Sequence, residues 1–509
     1  MRHNVSASKL QMPVENFIRQ MSVSINDVSA PGAGSTPRPK RAQVSKACHR
    51  CKRLQKGCSD SRPCQRCIKV GLEEQCIRSE GHRQQPADRN WSYPQLPASL
   101  SPETFHATPL ATFTQQRGPP PATLIQHCLR RFFAELYPTI PILSPEYAEL
   151  LVKEAGSVPG GDAECLITAV CAVVLLQVEE PNQRLFEAEG IPHSNTEFGK
   201  LLFDEGAAAH HHLSSRFNPC LERALATFFL YAGHASLFHH SQAFYFLRET
   251  ATVWLVLRIE EGDVLRRRLA DRLFWVILVS ERSHGIRYRR PVTLQITPPV
   301  SELDLDLDPD TSLSGLRALV SLFRPLDTAF FALLNQESSV FASRPLMALD
   351  AIQEAISSAL EPRQTKLLRE TQLANLRVTQ LWLLVILWQL RLHLGLLVED
   401  PGMPDHLTFH YPVEVGAQLV TVVQGVSLES IRIHGVGINE KIFDVACAMA
   451  DVLSRVPATS SSDTGPENIQ HLRRLIHQLP GGISTYSPLL DKHISNTLPA
   501  VAESAWPGR

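Results

Sequence analysis

Six cysteines fall within residues 48–76, spaced C-x2-C-x6-C-x5-C-x2-C-x8-C, and this spacing constrains the chain more than any other feature. They are Cys48, Cys51, Cys58, Cys64, Cys67 and Cys76. A C-x2-C pair presents two thiolates to one metal from a single turn. Two such pairs, each followed by a third cysteine, make two similar half-sites. Zinc takes four ligands tetrahedrally. Two zincs need eight coordination positions, which six cysteines can fill only if two of them bridge. A redox C-x2-C and a single zinc with two spare thiols are the alternatives. No strand–helix pattern of a thioredoxin-like unit lies nearby. Some 30 residues cannot bury enough apolar surface to fold alone, so the segment is expected to depend on its metal.

Charge is concentrated in the same place. Residues 38–69 hold Arg38, Lys40, Arg41, Lys46, Arg50, Lys52, Arg53, Lys56, Arg62, Arg66 and Lys69 against Asp60 alone, a net of +10. The chain as a whole carries −1, which leaves −11 for the rest. A basic patch laid over a metal module is the electrostatic footprint of phosphate binding. A phosphate-bearing partner is expected, with a solvated charged tail as the alternative.

The cluster resembles the fungal binuclear zinc cluster family of transcription factors. The matching residues are Ala47-Cys48-His49-Arg50-Cys51-Lys52-Arg53, then Arg62-Pro63-Cys64-Gln65-Arg66-Cys67, then Gly71-Leu72 ahead of Cys76. The resemblance implies a two-helix module holding two Zn2+, with Cys48 and Cys64 as the bridging ligands and Pro63 as the loop proline. It also implies that the helix after the second cysteine, 52–57, enters the major groove and reads a CGG-like triplet. Arg50, Lys52, Arg53, Gln55 and Lys56 are then the DNA-contacting residues. Gln55 and Gly57 stand where the family commonly has Lys or Arg, and Leu54 is apolar where a base is frequent. Glutamine suits adenine edges and lysine guanine, so a variant of CGG is expected.

The flanks divide the chain. Residues 1–45 are rich in Ser, Pro and Gly without a period and read as a disordered, basic-ended tail. The zinc cluster occupies 46–78. Residues 79–121 hold eight prolines and read as a disordered linker in which no coiled coil can form. Any homodimer must therefore form through the large domain. That domain, 122–490, shows apolar residues at spacings of three and four, followed by a tail over 491–509. Helices are expected at 124–137, 167–176, 221–231, 242–257, 264–280, 314–334, 347–360, 365–397, 412–426, 441–453 and 468–479. The fold class is thus a small zinc-stabilised two-helix DNA-binding cluster joined by a linker to a large all-α regulatory domain. The most apolar runs, 166–176 and 381–397, fall short of the roughly 20 residues of a membrane span. The remaining cysteines, Cys128, Cys165, Cys171, Cys220 and Cys447, lie in apolar surroundings and read as core.

Two segments of the large domain resemble the regulatory middle domain of the same family. Phe132-Phe133-Ala134-Glu135-Leu136-Tyr137-Pro138-Thr139-Ile140-Pro141-Ile142-Leu143 is similar to its opening signature. Residues 266–275, with Glu281-Arg282 and Arg287-Tyr288-Arg289-Arg290-Pro291, are similar to its arginine-rich core. Arg266, Arg267, Arg268 and Arg272 are expected on a solvated helix face, with a second DNA patch as the alternative. The alternating acidic and apolar residues 302–308 suit an exposed loop or an activation segment. His210-His211-His212 and His239-His240 can each give one ligand at most to a common metal, because adjacent helical residues point apart.

No nucleophile elbow, phosphate loop or dinucleotide fingerprint is present. The expected function is that of a nuclear, non-enzymatic transcription activator or regulator of a metabolic or secondary-metabolite gene set, acting with the transcription machinery and no membrane. A helical enzyme or metal-handling protein with structural cysteines is the alternative class.

Overall fold

The computed structural model describes residues 64–69, 120–157, 160–178, 194–213, 219–296, 313–335, 345–360, 368–400, 402–456 and 464–498. The chain divides into two compact units, 1–112 and 113–509. Within the first, the described residues form one short helix, α1 (Gln65–Ile68). The expected helix 52–57, the linker, the N-terminal tail and the acidic segment 302–308 lie outside the described residues.

The second unit is helical, and no strand occurs among its described residues. Its first half comprises α2 (Ala122–Arg131), a π turn (Phe132–Leu136), α3 (Pro145–Ser157), α4 (Asp162–Gln177), α5 (Asn195–His212), α6 (Leu221–Ser236), α7 (His240–Val256) and α8 (Val264–Tyr288). Its second half comprises α9 (Leu313–Phe323), α10 (Thr328–Leu334), α11 (Pro345–Ser358), α12 (Glu370–His393), a 3-10 turn (Asp405–Leu407), α13 (Tyr411–Gln424), α14 (Leu428–Arg432), α15 (Val436–Leu453), α16 (Gly465–Gln478), a π turn (Gly482–Tyr486) and α17 (Ser487–Thr497).

Each half surrounds one helix that is apolar on every side, as a central helix must be. In the first half this is α4, buried continuously from Cys165 to Leu175. In the second it is α12, buried from Val378 to Trp388. By length and composition α12 could cross a membrane, but 78% of its most apolar window is covered by neighbouring helices. It is the core helix of its half. Two apolar cores result. Leu269 to Leu278 of α8 belong to the first and Ile286 to the second, so α8 passes from one to the other.

Several boundaries differ from the sequence reading. The run 314–334 is two helices. Pro325 cannot continue α9, and the Asp327 carboxylate caps α10 by accepting from the Phe330 N–H at 2.9 Å. The run 124–137 becomes α-helix and then π turn, which turns both Phe132 and Leu136 inward. Four helices, α3, α5, α14 and α17, are additional. A Ser194–Glu197 capping box starts α5. Its Gly199 faces α4 so closely that an added Cβ would lie 3.0 Å from the Leu175 Cβ. The chain is also helical past residue 490, where the sequence suggests a tail. Pro488 sits in the first turn of α17, and Ile494 is buried in the second core.

The halves are bolted together by buried polar contacts. Arg287 at the end of α8 forms an ion pair with Asp444 of α15 and lies 3.7 Å from the Glu440 carboxylate. Burial alone would lower its pKa, but Asp444 and Glu440 hold it well above the ordinary arginine value. The Tyr288 and Tyr486 hydroxyls donate to Glu440 at 2.6 and 2.7 Å. The Trp382 indole donates to Asp444 at 3.0 Å. Far from this cluster, Gln372 of α12 donates to the Pro138 carbonyl at 2.9 Å.

Arg287→Met is expected to leave Glu440 and Asp444 buried without their cation and to cost about 3–5 kcal/mol, read from urea unfolding of the full chain. Adding Asp444→Asn to that variant should restore part of the loss. A variant as stable as the wild type would show the pair to be energetically neutral.

Candidate metal centre and nucleic-acid interface

Of the six expected metal ligands, the structure describes Cys64 and Cys67. They open and close one helical turn. Cys64 has extended backbone (φ −71°, ψ 148°) and is the N-cap of α1. Its carbonyl accepts from the Cys67 N–H at 2.8 Å and the Ile68 N–H at 3.1 Å. An i, i+3 spacing sets both side chains on one face of that turn. Both cysteines are fully buried, whereas Gln65, Ile68 and Lys69 beside them are exposed. The Cys64 side chain makes no capping hydrogen bond. Two soft donors, turned the same way and shielded from water, fit the C-x2-C half of a zinc site. Cys48, Cys51, Cys58 and Cys76 lie outside the described residues, as do Arg50, Lys52, Arg53, Gln55 and Lys56.

The arginine-rich segment of the large domain is a solvated face only in part: Arg267 and Arg268 are exposed as expected, Arg266 is partly exposed and Arg272 is buried. Arg272 is 6% exposed, and it donates to the Tyr137 hydroxyl at 2.9 Å and the Pro141 carbonyl at 3.2 Å. Arg266 pairs with Glu222 and Asp263 and lies over the Tyr147 ring. Those carboxylates hold its pKa above the ordinary value against the effect of burial. Glu281 accepts from the Thr293 and Leu294 backbone N–H groups, each at 2.8 Å, and from Arg248. Arg282 donates to the Phe323 carbonyl at 2.7 Å, and burial pushes its pKa down to about 10. Arg289 takes the left-handed conformation that ends α8 (φ 52°) and donates to the Leu334 carbonyl at 2.7 Å. Each of these residues ties α8 to a different element. Arg267 and Arg268 face water, and Arg289, though it donates to the Leu334 carbonyl, is exposed as well.

The two segments that resemble the family's middle domain therefore touch each other. Tyr137 and Pro141 from the first receive the Arg272 guanidinium from the second. Sequence patterning could not reveal this, because the partners are 135 and 131 residues apart.

The histidine runs separate as their spacing implies. His210 is buried, with Nε2 2.9 Å from Glu249. The His240 Nδ1 lies 2.8 Å from the Tyr288 hydroxyl. A cleft of about 660 Å³ opens between α11 and the segment leading into α13, lined by Asp350, Glu354, Asp405 and His406 among others. Beneath it, buried Arg391 is already held by Asp350 and Gln353. The carboxylates that line this cleft repel anions.

No family model matches the chain. It is similar along most of its length to a maltose fermentation regulatory protein of Saccharomyces cerevisiae, 20% identical over 428 residues, which covers 82% of this chain and 85% of the relative. Shorter likenesses are closer. A transcription activator of gluconeogenesis from Uncinocarpus reesii is 32% identical over 108 residues, 20% of this chain and 15% of that protein. One from Laccaria bicolor is 49% identical over 45 residues, 9% of this chain and 8% of that protein.

Arg272→Met is expected to strip the Tyr137 hydroxyl and the Pro141 carbonyl of their donor and to cost about 1–3 kcal/mol in chemical unfolding. Arg267→Ala with Arg268→Ala should stay within about 0.5 kcal/mol of wild type. An unchanged Arg272→Met protein would remove the staple assigned to that residue.

Proposed function

We propose that this chain, a fungal zinc cluster transcription regulator, binds double-stranded DNA through residues 46–78 and controls a set of metabolic genes through its helical domain. The observation that carries this reading is the cysteine spacing, together with the shielded Cys64–Cys67 turn and the +10 charge that overlies it. The names of its relatives, regulators of maltose fermentation and of gluconeogenesis, support the metabolic class and an activating role.

In this reading Cys48, Cys51, Cys58, Cys64, Cys67 and Cys76 hold two zinc ions, with Cys48 and Cys64 shared between them. The zinc supplies the fold of the module and takes no part in a reaction; the chain is a regulator and not an enzyme. Arg50, Lys52, Arg53 and Lys56 neutralise phosphates and reach base edges, and Gln55 reads a base. A Lys in place of Gln55 would favour guanine O6 and N7. Gln offers one donor and one acceptor and pairs best with adenine N6 and N7. The half-site is a variant of CGG. The protein works in the nucleus, and if it pairs with a second copy it does so through the helical domain.

Metal uptake by the full chain should reach two zincs for the cysteine cluster. Cys64→Ala should empty both positions and Cys76→Ala mainly one. Equal losses from the two variants would contradict bridging by Cys64.

The DNA reading is tested by selecting bound sites from random sequence. Gln55→Lys should shift the selected triplet towards CGG without loss of zinc, with about 1–3 kcal/mol of discrimination at the affected base. Lys56→Ala should weaken binding to all sequences and flatten the salt dependence by about one unit per lost contact. Identical site preferences for wild type and Gln55→Lys would remove Gln55 from readout. A chain that binds DNA no better with zinc than with chelator would overturn the function itself.

A further inference from the structure

Helix α6 ends in a turn that folds back on itself. The Phe238 N–H donates to the Ala235 carbonyl at 3.2 Å, and the His239 N–H donates to the His234 carbonyl at 2.9 Å. This pair of bonds requires a left-handed residue between them, a place glycine usually takes. Here it is Phe238, at φ 61°. The Phe238 ring offsets the strain by packing 5.9 Å from the Tyr486 ring and over Gly481, where any side chain would collide with it. The backbone is thereby fixed, and with it the relation of His234 to His239.

The two imidazoles meet through the same nitrogen. The His234 Nδ1 lies 3.3 Å from the His239 Nδ1. That is longer than an ordinary N–H hydrogen bond, whose usual span is about 2.7–3.2 Å. It equals the separation of two nitrogens on one tetrahedral zinc, about 3.3 Å for bonds of about 2.0–2.1 Å. The His234 ring is held in place, with the Phe246 ring stacked at 5.2 Å and the Phe203 edge at 4.7 Å. His239 is exposed, so an ion can reach the pair from solvent. Asp204, exposed on α5, carries a carboxylate that acts electrostatically on His239.

We propose that His234 and His239 form a surface site for a borderline divalent cation such as zinc, separate from the cysteine cluster. The two Nδ1 atoms bind the ion, and water completes its coordination. Among the described residues no three such side chains converge on one point as they stand. The site is therefore a two-imidazole site, with weaker affinity than the cluster. Imidazole binds a metal in its neutral form. Burial and the neighbouring His239 hold the His234 pKa down at about 4, so that ring is neutral at physiological pH. Bound metal would pin the α6–α7 turn beside the contact of Phe238 with the second core.

The test is calorimetric titration of Zn2+ into the full chain whose cysteine cluster is already zinc-loaded, with bound metal counted after gel filtration. One further equivalent is expected. Its affinity should fall about tenfold or more in His239→Ala and in His234→Ala. His234→Ala also removes a packed ring, so His239→Gln provides the second arm. It keeps a hydrogen-bond partner for His234 and should leave metal-free thermal unfolding unchanged while weakening the extra equivalent as much as His239→Ala. No uptake beyond the cluster would overturn the proposal. So would uptake that survives undiminished in both His239 variants.

Discussion

A guanidinium cannot be buried without partners, because its desolvation is worth several kcal/mol. Helix α8 carries Arg266, Arg272, Arg282 and Arg287 along one element, with Arg289 just beyond it, and draws Arg272, Arg282 and Arg287 largely out of water. The rest of the large domain is arranged to meet that demand. Arg266 is met by α6, Arg272 by the turn after α2, Arg282 by the end of α9, Arg289 by the end of α10 and Arg287 by α15. Apolar packing fills the two cores, and the arginines of α8 decide which element lies against which. Buried ionic groups are often neutral in net stability and selective in geometry. That is the role this segment plays.

The sequence-level expectations separate along the same physical line. Where apolar residues recur at helical spacing a helix is found, within two residues of its expected ends for 242–257 but running on to Tyr288 where 264–280 is expected. Helix α5 escapes because two of its inward positions, Gly199 and Gly206, are glycines, which carry no hydrophobic signal yet allow α4 to approach closely. Helix α3 escapes because it opens on Ser144-Pro145, which reads as a turn. The wrong environment expected for Arg272 has a different origin. Periodicity places a residue on one face of its own helix, but it is silent about Tyr137, which covers that face from 135 residues away.

The metal centre shows the opposite balance. The ligand set proposed for it rests on spacing, since thiolates at C-x2-C must share a turn, and the described Cys64–Cys67 turn has that form. The histidine pair was not legible. His239 was visible only as a neighbour of His240, whereas its partner is His234, brought back to it by an aromatic residue in a conformation that sequence propensities assign to glycine.

Because α8 serves both cores, the order in which the chain leaves the ribosome matters. The buried members of the first core are all present once residues up to Val320 have emerged, since Leu313, Leu316 and Val320 are the last of them. At that moment Arg287 still lacks its Asp444 and Glu440 partners, and it waits for them until α15 arrives more than a hundred residues later. The nascent domain thus spends that interval with this cation still waiting at the end of α8. This half-made surface is where chaperones would be expected to hold the protein during synthesis.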